Sequence, residues 1–293
     1  RNCVRPLTIW MVEKENMFTK STKKYTVVKS TLIGSEFASF PIGTHISKKG
    51  PYYKTLTKFF GSRGLVDCPV QLFTGSPKSW RRSKLNEKDI EKTREWIGKF
   101  DAKVYIHSIY LINLAKRAEE IPKALAILRY DLELGARYGF LGVVVHCGKS
   151  LTESEEVAEN RMYDNCISML QYATEACPLL IETPAGQGTE ILTKLESFSS
   201  FYGRFTPEQK KLCKLCIDTC HIFASGYEPM IYLTFIQYNH PGSIALVHYN
   251  DSKCPKGSCK DRHEVPGQGC IGPSKMKEVA NWCVEHNVDM IYE

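Results

Sequence analysis

From residue 40 onward, short apolar runs alternate with longer stretches whose apolar positions recur at helical spacing. The runs predict strands near 40–46, 69–74, 103–107, 141–146, 178–182, 213–218, 244–248 and 288–293. Between them the spacing predicts helices over 52–63, 87–100 behind an Asn86 N-cap, 122–139, 155–177, 189–202, 207–212, and 274–287 behind Ser274. The 222–240 connection is less regular and is expected to hold a short helix. Strict alternation of eight strands with helical crossovers points to an α/β chain folded as a (β/α)8 TIM barrel, with its functional groups at the carboxyl ends of the strands. A doubly wound open sheet shares the alternation but would not gather consecutive strand ends around one centre.

Six of these eight runs close on a histidine or a carboxylate: His107, His146, Glu182, Asp218, His248 and Glu293. Imidazoles and carboxylates gathered at one barrel rim are the donor types of a metal cluster. Two further motifs supply the same chemistry from loops. IDTCH at 217–221 adds His221 three residues after Asp218, and DRH at 261–263 places Asp261 and His263 on one side of an extended segment. A single histidine is more often a packed or surface residue than a ligand, but nine such groups at rim positions are not explained that way.

Composition narrows the class. The chain has 293 residues, 43% hydrophobic and 24% charged, as in an ordinary soluble globular protein. Its longest apolar stretch, Phe140–Val145, is too short to span a membrane, and nothing near the start reads as a signal peptide, so the expectation is an intracellular, soluble protein. In a chain this long, twelve cysteines read as reduced thiols. Cys213 and Cys216 form a CxxC, yet their odd separation along a strand turns them to opposite faces. The formal net charge is +7. Residues 1–39 hold seven basic against three acidic residues, a partly ordered basic extension that reads either as a nonspecific DNA or targeting arm or as a tail without a role. The chain stops at the eighth predicted strand, so a final covering helix is expected to be missing. CGKS at 147–150 imitates the end of a phosphate-binding loop, but Val143 stands where that motif needs glycine. Lys149 remains a candidate phosphate contact or a solvated loop lysine.

GTHIS at 43–47, LFT…W at 72–80, HSIYLINL at 107–114, VVHCG at 144–148, IETPAGQG at 181–188, CIDTCH at 216–221, VHYNDSK at 247–253 and DRHEVPGQGCIG at 261–272 resemble the endonuclease IV family of apurinic/apyrimidinic (AP) endonucleases. The resemblance covers about residues 40–293, in the family's order, and does not extend to 1–39.

The resemblance implies three zinc ions per chain. His107, His146 and Glu182 would hold one, with Glu182 bridging to a second held also by Asp218, His248 and Glu293. His221, Asp261 and His263 would hold the third, and manganese at one position stays open. It also implies hydrolysis of the phosphodiester 5′ to an abasic site in double-stranded DNA, leaving a 3′-hydroxyl and a 5′-deoxyribose phosphate. A 3′-end-cleaning diesterase or exonuclease activity is a further expectation. Glu182 would act as ligand and orient the nucleophile. Tyr110 and Leu111 match a minor-groove element of the family, Trp80 the end of its first DNA loop, and Lys78 stands in that loop, which reads GSPKSWRR where members often carry glutamine and arginine. Lysine brings charge without a flat guanidinium. A monomer is expected, because the rim must stay open to duplex DNA. The rival enzyme class is a metal-dependent sugar isomerase or epimerase on a related barrel, which leaves His221, Asp261 and His263 unexplained.

Overall fold

The computed structural model describes residues 35–61 and 68–293. The basic extension expected at the start therefore falls mostly outside the described residues. Of its last residues, Phe37 is fully buried and packs edge-on against Tyr249, with ring centroids 6.1 Å apart.

Eight parallel strands close into a barrel: β1 (Ile42–His45), β2 (Val70–Leu72), β3 (Val104–His107), β4 (Val143–His146), β5 (Leu179–Glu182), β6 (Cys213–Asp218), β7 (Ile244–His248) and β10 (Asp289–Tyr292), which returns to β1. Helices α1 (Tyr52–Gly61), α2 (Glu87–Phe100), α3 (Pro122–Tyr138), α4 (Glu155–Leu170), α5 (Leu195–Gly203), α6 (Pro207–Leu212), α7 (Thr219–Ala224), α8 (Pro229–Asn239) and α9 (Pro273–Glu285) fill the connections. A short antiparallel pair, β8 (Asp251–Ser252) and β9 (His263–Glu264), stands outside the barrel. Among the described residues, no helix is long and apolar enough to cross a membrane.

The pleat sorts the core into two layers. Tyr105, Val144, Leu180, Cys216, Leu246 and Ile291 fill the barrel interior, while their strand neighbours, such as Ile106, Val145, Ile181 and Ile217, face the helices. The same alternation separates Cys213, in the outer layer, from Cys216 inside. Two residues beyond each interior residue stand His107, His146, Glu182, Asp218, His248 and Glu293. Strand register joins four of them in pairs, His146 with Glu182 and Asp218 with His248, while His107 pairs with Val144 and Glu182 also with Cys216.

Several element ends differ from expectation. The helix expected over 155–177 stops at Leu170, because Thr174 and Cys177 exchange main-chain hydrogen bonds of 3.2 and 3.1 Å in a tight turn. The helix expected from 189 starts only at Leu195, since Thr189 and Ile191 pair instead with Ser150 and Gly148. The last helix begins at Pro273, with Gly272 at φ 84° as its cap in place of Ser274. The irregular 222–240 stretch resolves into the end of α7 and all of α8. Asn86 caps α2 as expected, accepting from the Asp89 N–H at 3.2 Å.

Candidate metal centre

Glu182, at the end of β5, is the hub of the rim. Its Oε2 lies 3.2 Å from His107 Nε2 and 3.0 Å from His146 Nε2, and its Oε1 lies 2.9 Å from His248 Nδ1. His248 Nδ1 is in turn 3.2 Å from Glu293 Oε2 and 3.8 Å from Asp218 Oδ2. A third group sits beside these: Asp261 is 3.4 Å from His221 Nε2 and 3.0 Å from His263 Nε2, and Asp218 Oδ2 is 3.5 Å from His263 Nε2.

Among the described residues, donor atoms within 4.8 Å of one another form the sets His107–His146–Glu182, Glu182–Asp218–His248–Glu293 and His221–Asp261–His263. Two overlapping sets, His107–His248–Glu293 and Asp218–Cys220–His263, meet the same limit. Glu182 joins the first set to the second.

Surrounding groups aim these donors. Carbonyl oxygens only accept, so His107 Nδ1, 2.6 Å from Ser108 O, and His221 Nδ1, 2.8 Å from Thr183 O, carry the protons and leave each Nε2 lone pair facing the cluster. Asp218 accepts from the His221 N–H at 2.9 Å and from Asn250 Nδ2 at 2.7 Å. Among the described residues, the buried Nε2 atoms of His221 and His263 make no well-aligned hydrogen bond, although Asp261 lies 3.4 and 3.0 Å away. Orphaned imidazole nitrogens converging on a carboxylate fit a bound cation, since a buried polar atom left unsatisfied costs about 1–3 kcal/mol.

The electrostatics match. Burial opposes the charge on Glu182, but His146, His248 and His107 outweigh it and hold its carboxyl well below the usual range. Burial likewise opposes the charge on His221, yet Asp218, Asp261 and Glu182 raise it well above the ordinary histidine value. His107 shifts down, burial exceeding the help of Glu182. Four carboxylates packed among five imidazoles form a site that favours positive charge.

The chain matches the family model described as "Xylose isomerase-like TIM barrel" over residues 69–289. It is 34% identical over 208 residues to the probable endonuclease 4 of Symbiobacterium thermophilum, covering 69% of this chain and 75% of that protein. It is 30% identical to the probable endonuclease 4 of Streptomyces avermitilis over 86% of this chain and 84% of the relative. This chain belongs to the endonuclease IV family. The solved endonuclease IV of Thermus thermophilus superposes with a TM-score of 0.74 at 27% identity, over 86% of this chain and 92% of the other. Family and donor sets together are compatible with metal binding.

In this endonuclease IV chain three of the donors, His146, His221 and Asp261, line a cavity of about 210 Å³ together with Tyr110, Leu111 and Lys149. Tyr110 is 54% exposed, with its ring centroid 5.6 Å from those of both His107 and His146. Lys149 lines the same cavity, with its ammonium 3.5 Å from Glu190 Oε1, so its charge is shared with a neighbour. Lys78 and Trp80 stand apart on the loop after β2, where Trp80 and Leu111 border a separate cleft. The sequence reading missed Gln71 and His45, which reach the centre from β2 and β1, and Cys220 and Asn250 beside Asp218. β2 is three residues long and buried throughout, so no alternation singled out Gln71 in the sequence.

Proposed function

We propose that this endonuclease IV member is a zinc-dependent AP endonuclease that hydrolyses the phosphodiester 5′ to an abasic nucleotide in duplex DNA, leaving a 3′-hydroxyl and a 5′-deoxyribose phosphate. The observation that carries the reading is the convergence of nine donors in three neighbouring sets, of which His146, His221 and Asp261 line one small rim cavity. His107, His146 and Glu182 would hold one zinc, Glu182, Asp218, His248 and Glu293 a second, and His221, Asp261 and His263 a third. When bound, such ions supply a water nucleophile near neutral pH and stabilise the charge that develops on phosphate and leaving oxygen.

The chain's own groups set what enters. A cavity of about 210 Å³ is smaller than the usual ~300–1,000 Å³ ligand site, which suits a sugar without its base. Flipping a nucleotide that lacks stacking and pairing costs less than flipping an intact one, so the cavity selects damage through deformation. Tyr110 and Leu111, both exposed and lining the cavity, would fill the space the nucleotide vacates. His221, Asp261 and His263 weigh against a sugar isomerase, which needs no such additional set.

The reading is tested with an end-labelled duplex carrying one tetrahydrofuran abasic analogue. Incision immediately 5′ to the analogue, with an extendable 3′-hydroxyl, is expected. Interconversion of simple aldoses and ketoses without incision would replace the nuclease with an isomerase.

A further inference from the structure

β2 presents to the rim a fully buried amide, Gln71, where other strands present imidazoles or carboxylates. Its Nε2 lies 2.6 Å from Glu293 Oε1 and 3.2 Å from His45 Nδ1, and its Oε1 lies 2.9 Å from His248 Nε2. In the barrel order, β2 stands two strands from β10 and three from β7, so Gln71 reaches two residues, Glu293 and His248, at the ends of strands its own does not pair with.

The chemistry of the partners fixes the arrangement. An ionised carboxylate only accepts, so the amide nitrogen faces Glu293 and the amide oxygen faces His248. That oxygen also only accepts, so His248 donates through Nε2. Its Nδ1 lone pair is then left for the side where Glu182 Oε1 lies at 2.9 Å, Glu293 Oε2 at 3.2 Å and Asp218 Oδ2 at 3.8 Å.

We propose that Gln71 is a positioning residue for the Glu182–Asp218–His248–Glu293 set, selecting Nδ1 of His248 as the metal-donating atom and holding the Glu293 carboxylate beside it. The inference rests on the metal reading above and adds to it a residue that touches neither metal nor substrate. A ligand's supporting hydrogen bond is typically worth roughly 10–100-fold in metal affinity. Glu293 is half of this arrangement, and its backbone N–H also donates to Asn250 Oδ1 at 3.1 Å, so Gln71 acts on the direction of the carboxylate rather than on the strand.

The test uses the full chain loaded with zinc and titrated with a competing chelator. Gln71→Met keeps side-chain length and removes all three polar contacts, to Glu293, His45 and His248. Weakening of one ion by about 10–100-fold is expected, with the others held as in wild type and the melting temperature of the chelator-stripped protein not lowered. Equal retention of every ion by Gln71→Met and wild type overturns the inference and leaves the metal reading standing. A wild-type chain that takes up no zinc removes both. A second readout does not depend on the variant folding: in cadmium-113-loaded, ¹⁵N-histidine-labelled wild type, His248 should show metal coupling at Nδ1. Coupling at Nε2 contradicts the assignment.

Discussion

The donors at the strand ends and the donors on the loops are held in place by different means. His107, His146, Glu182, Asp218 and His248 end hydrogen-bonded strands, whose pairing sets His146 beside Glu182 and Asp218 beside His248. Asp261 and His263 lie on the segment after β8, which has no barrel strand to align it. That segment is tied down by Asp251, a fully buried carboxylate accepting five backbone N–H groups: Ser252 at 2.7 Å, Gly267 at 3.0 Å, Gly269 at 3.1 Å, Ile271 at 2.8 Å and Gly272 at 3.2 Å. Gly269 is required there, since a Cβ would come within 2.5 Å of Asp251 Oδ1. A sheet positions donors through its own pairing, whereas a loop of equal precision needs a dedicated hub.

The contrast can be broken at its strand side first. Glu182→Gln should empty both strand-borne sets together and lower incision by roughly three orders of magnitude or more, since losing one electrostatic stabiliser alone costs about 10²–10³. Metal analysis alongside incision rates checks it; loss of one ion only would separate the two sets that Glu182 joins. On the loop side, Asp251→Ala should release the His221–Asp261–His263 ion while the others stay bound, with incision down about 10–100-fold. Simultaneous loss of all metal would mean the loop is no separate unit.

A smaller effect concerns the supports behind the strand ends. Asp131 on α3 accepts from Thr74 Oγ1 at 2.6 Å and Ser108 Oγ at 2.9 Å and faces Arg82 at 3.6 Å, fastening the segments after β2 and β3. Burial pushes its carboxyl up to about 6 from an ordinary value near 3.8, against the pull of Thr74 and Arg82. The folded state thus binds this proton more tightly than the unfolded chain, so the group's contribution to stability falls as pH rises from about 4 to about 6. Asp131→Asn should remove that fall, at most about 3 kcal/mol, read as the wild-type minus variant difference in denaturant unfolding across this range. The smallest change is expected at exposed Lys78, outside the donor cavity. Lys78→Ala should reduce the salt slope of DNA binding by about one and leave metal content unchanged.

The same contrast explains what could be read from residues alone. Strand-end donors were legible because period-two alternation carries a core residue such as Leu180 to Glu182 on one face. His221, Asp261 and His263 were legible as motifs, while the Asp251 hub was not, because an aspartate in NDSK looks like any turn residue until five N–H groups converge on it. Gln71 was hidden by chemistry: a neutral amide titrates nothing and ligates little, and its role appears only once Glu293 and His248 stand on either side. Helix ends failed where local hydrogen bonds, as at Thr174 and Thr189, competed with apolar periodicity.

The most direct test of the central claim is zinc content measured together with incision of a tetrahydrofuran-containing duplex, for wild type and Glu182→Gln in parallel. Three ions per wild-type chain with cleavage 5′ to the analogue, and both diminished in the variant, are predicted. Full incision by Glu182→Gln, or by wild type stripped of metal, would contradict the account.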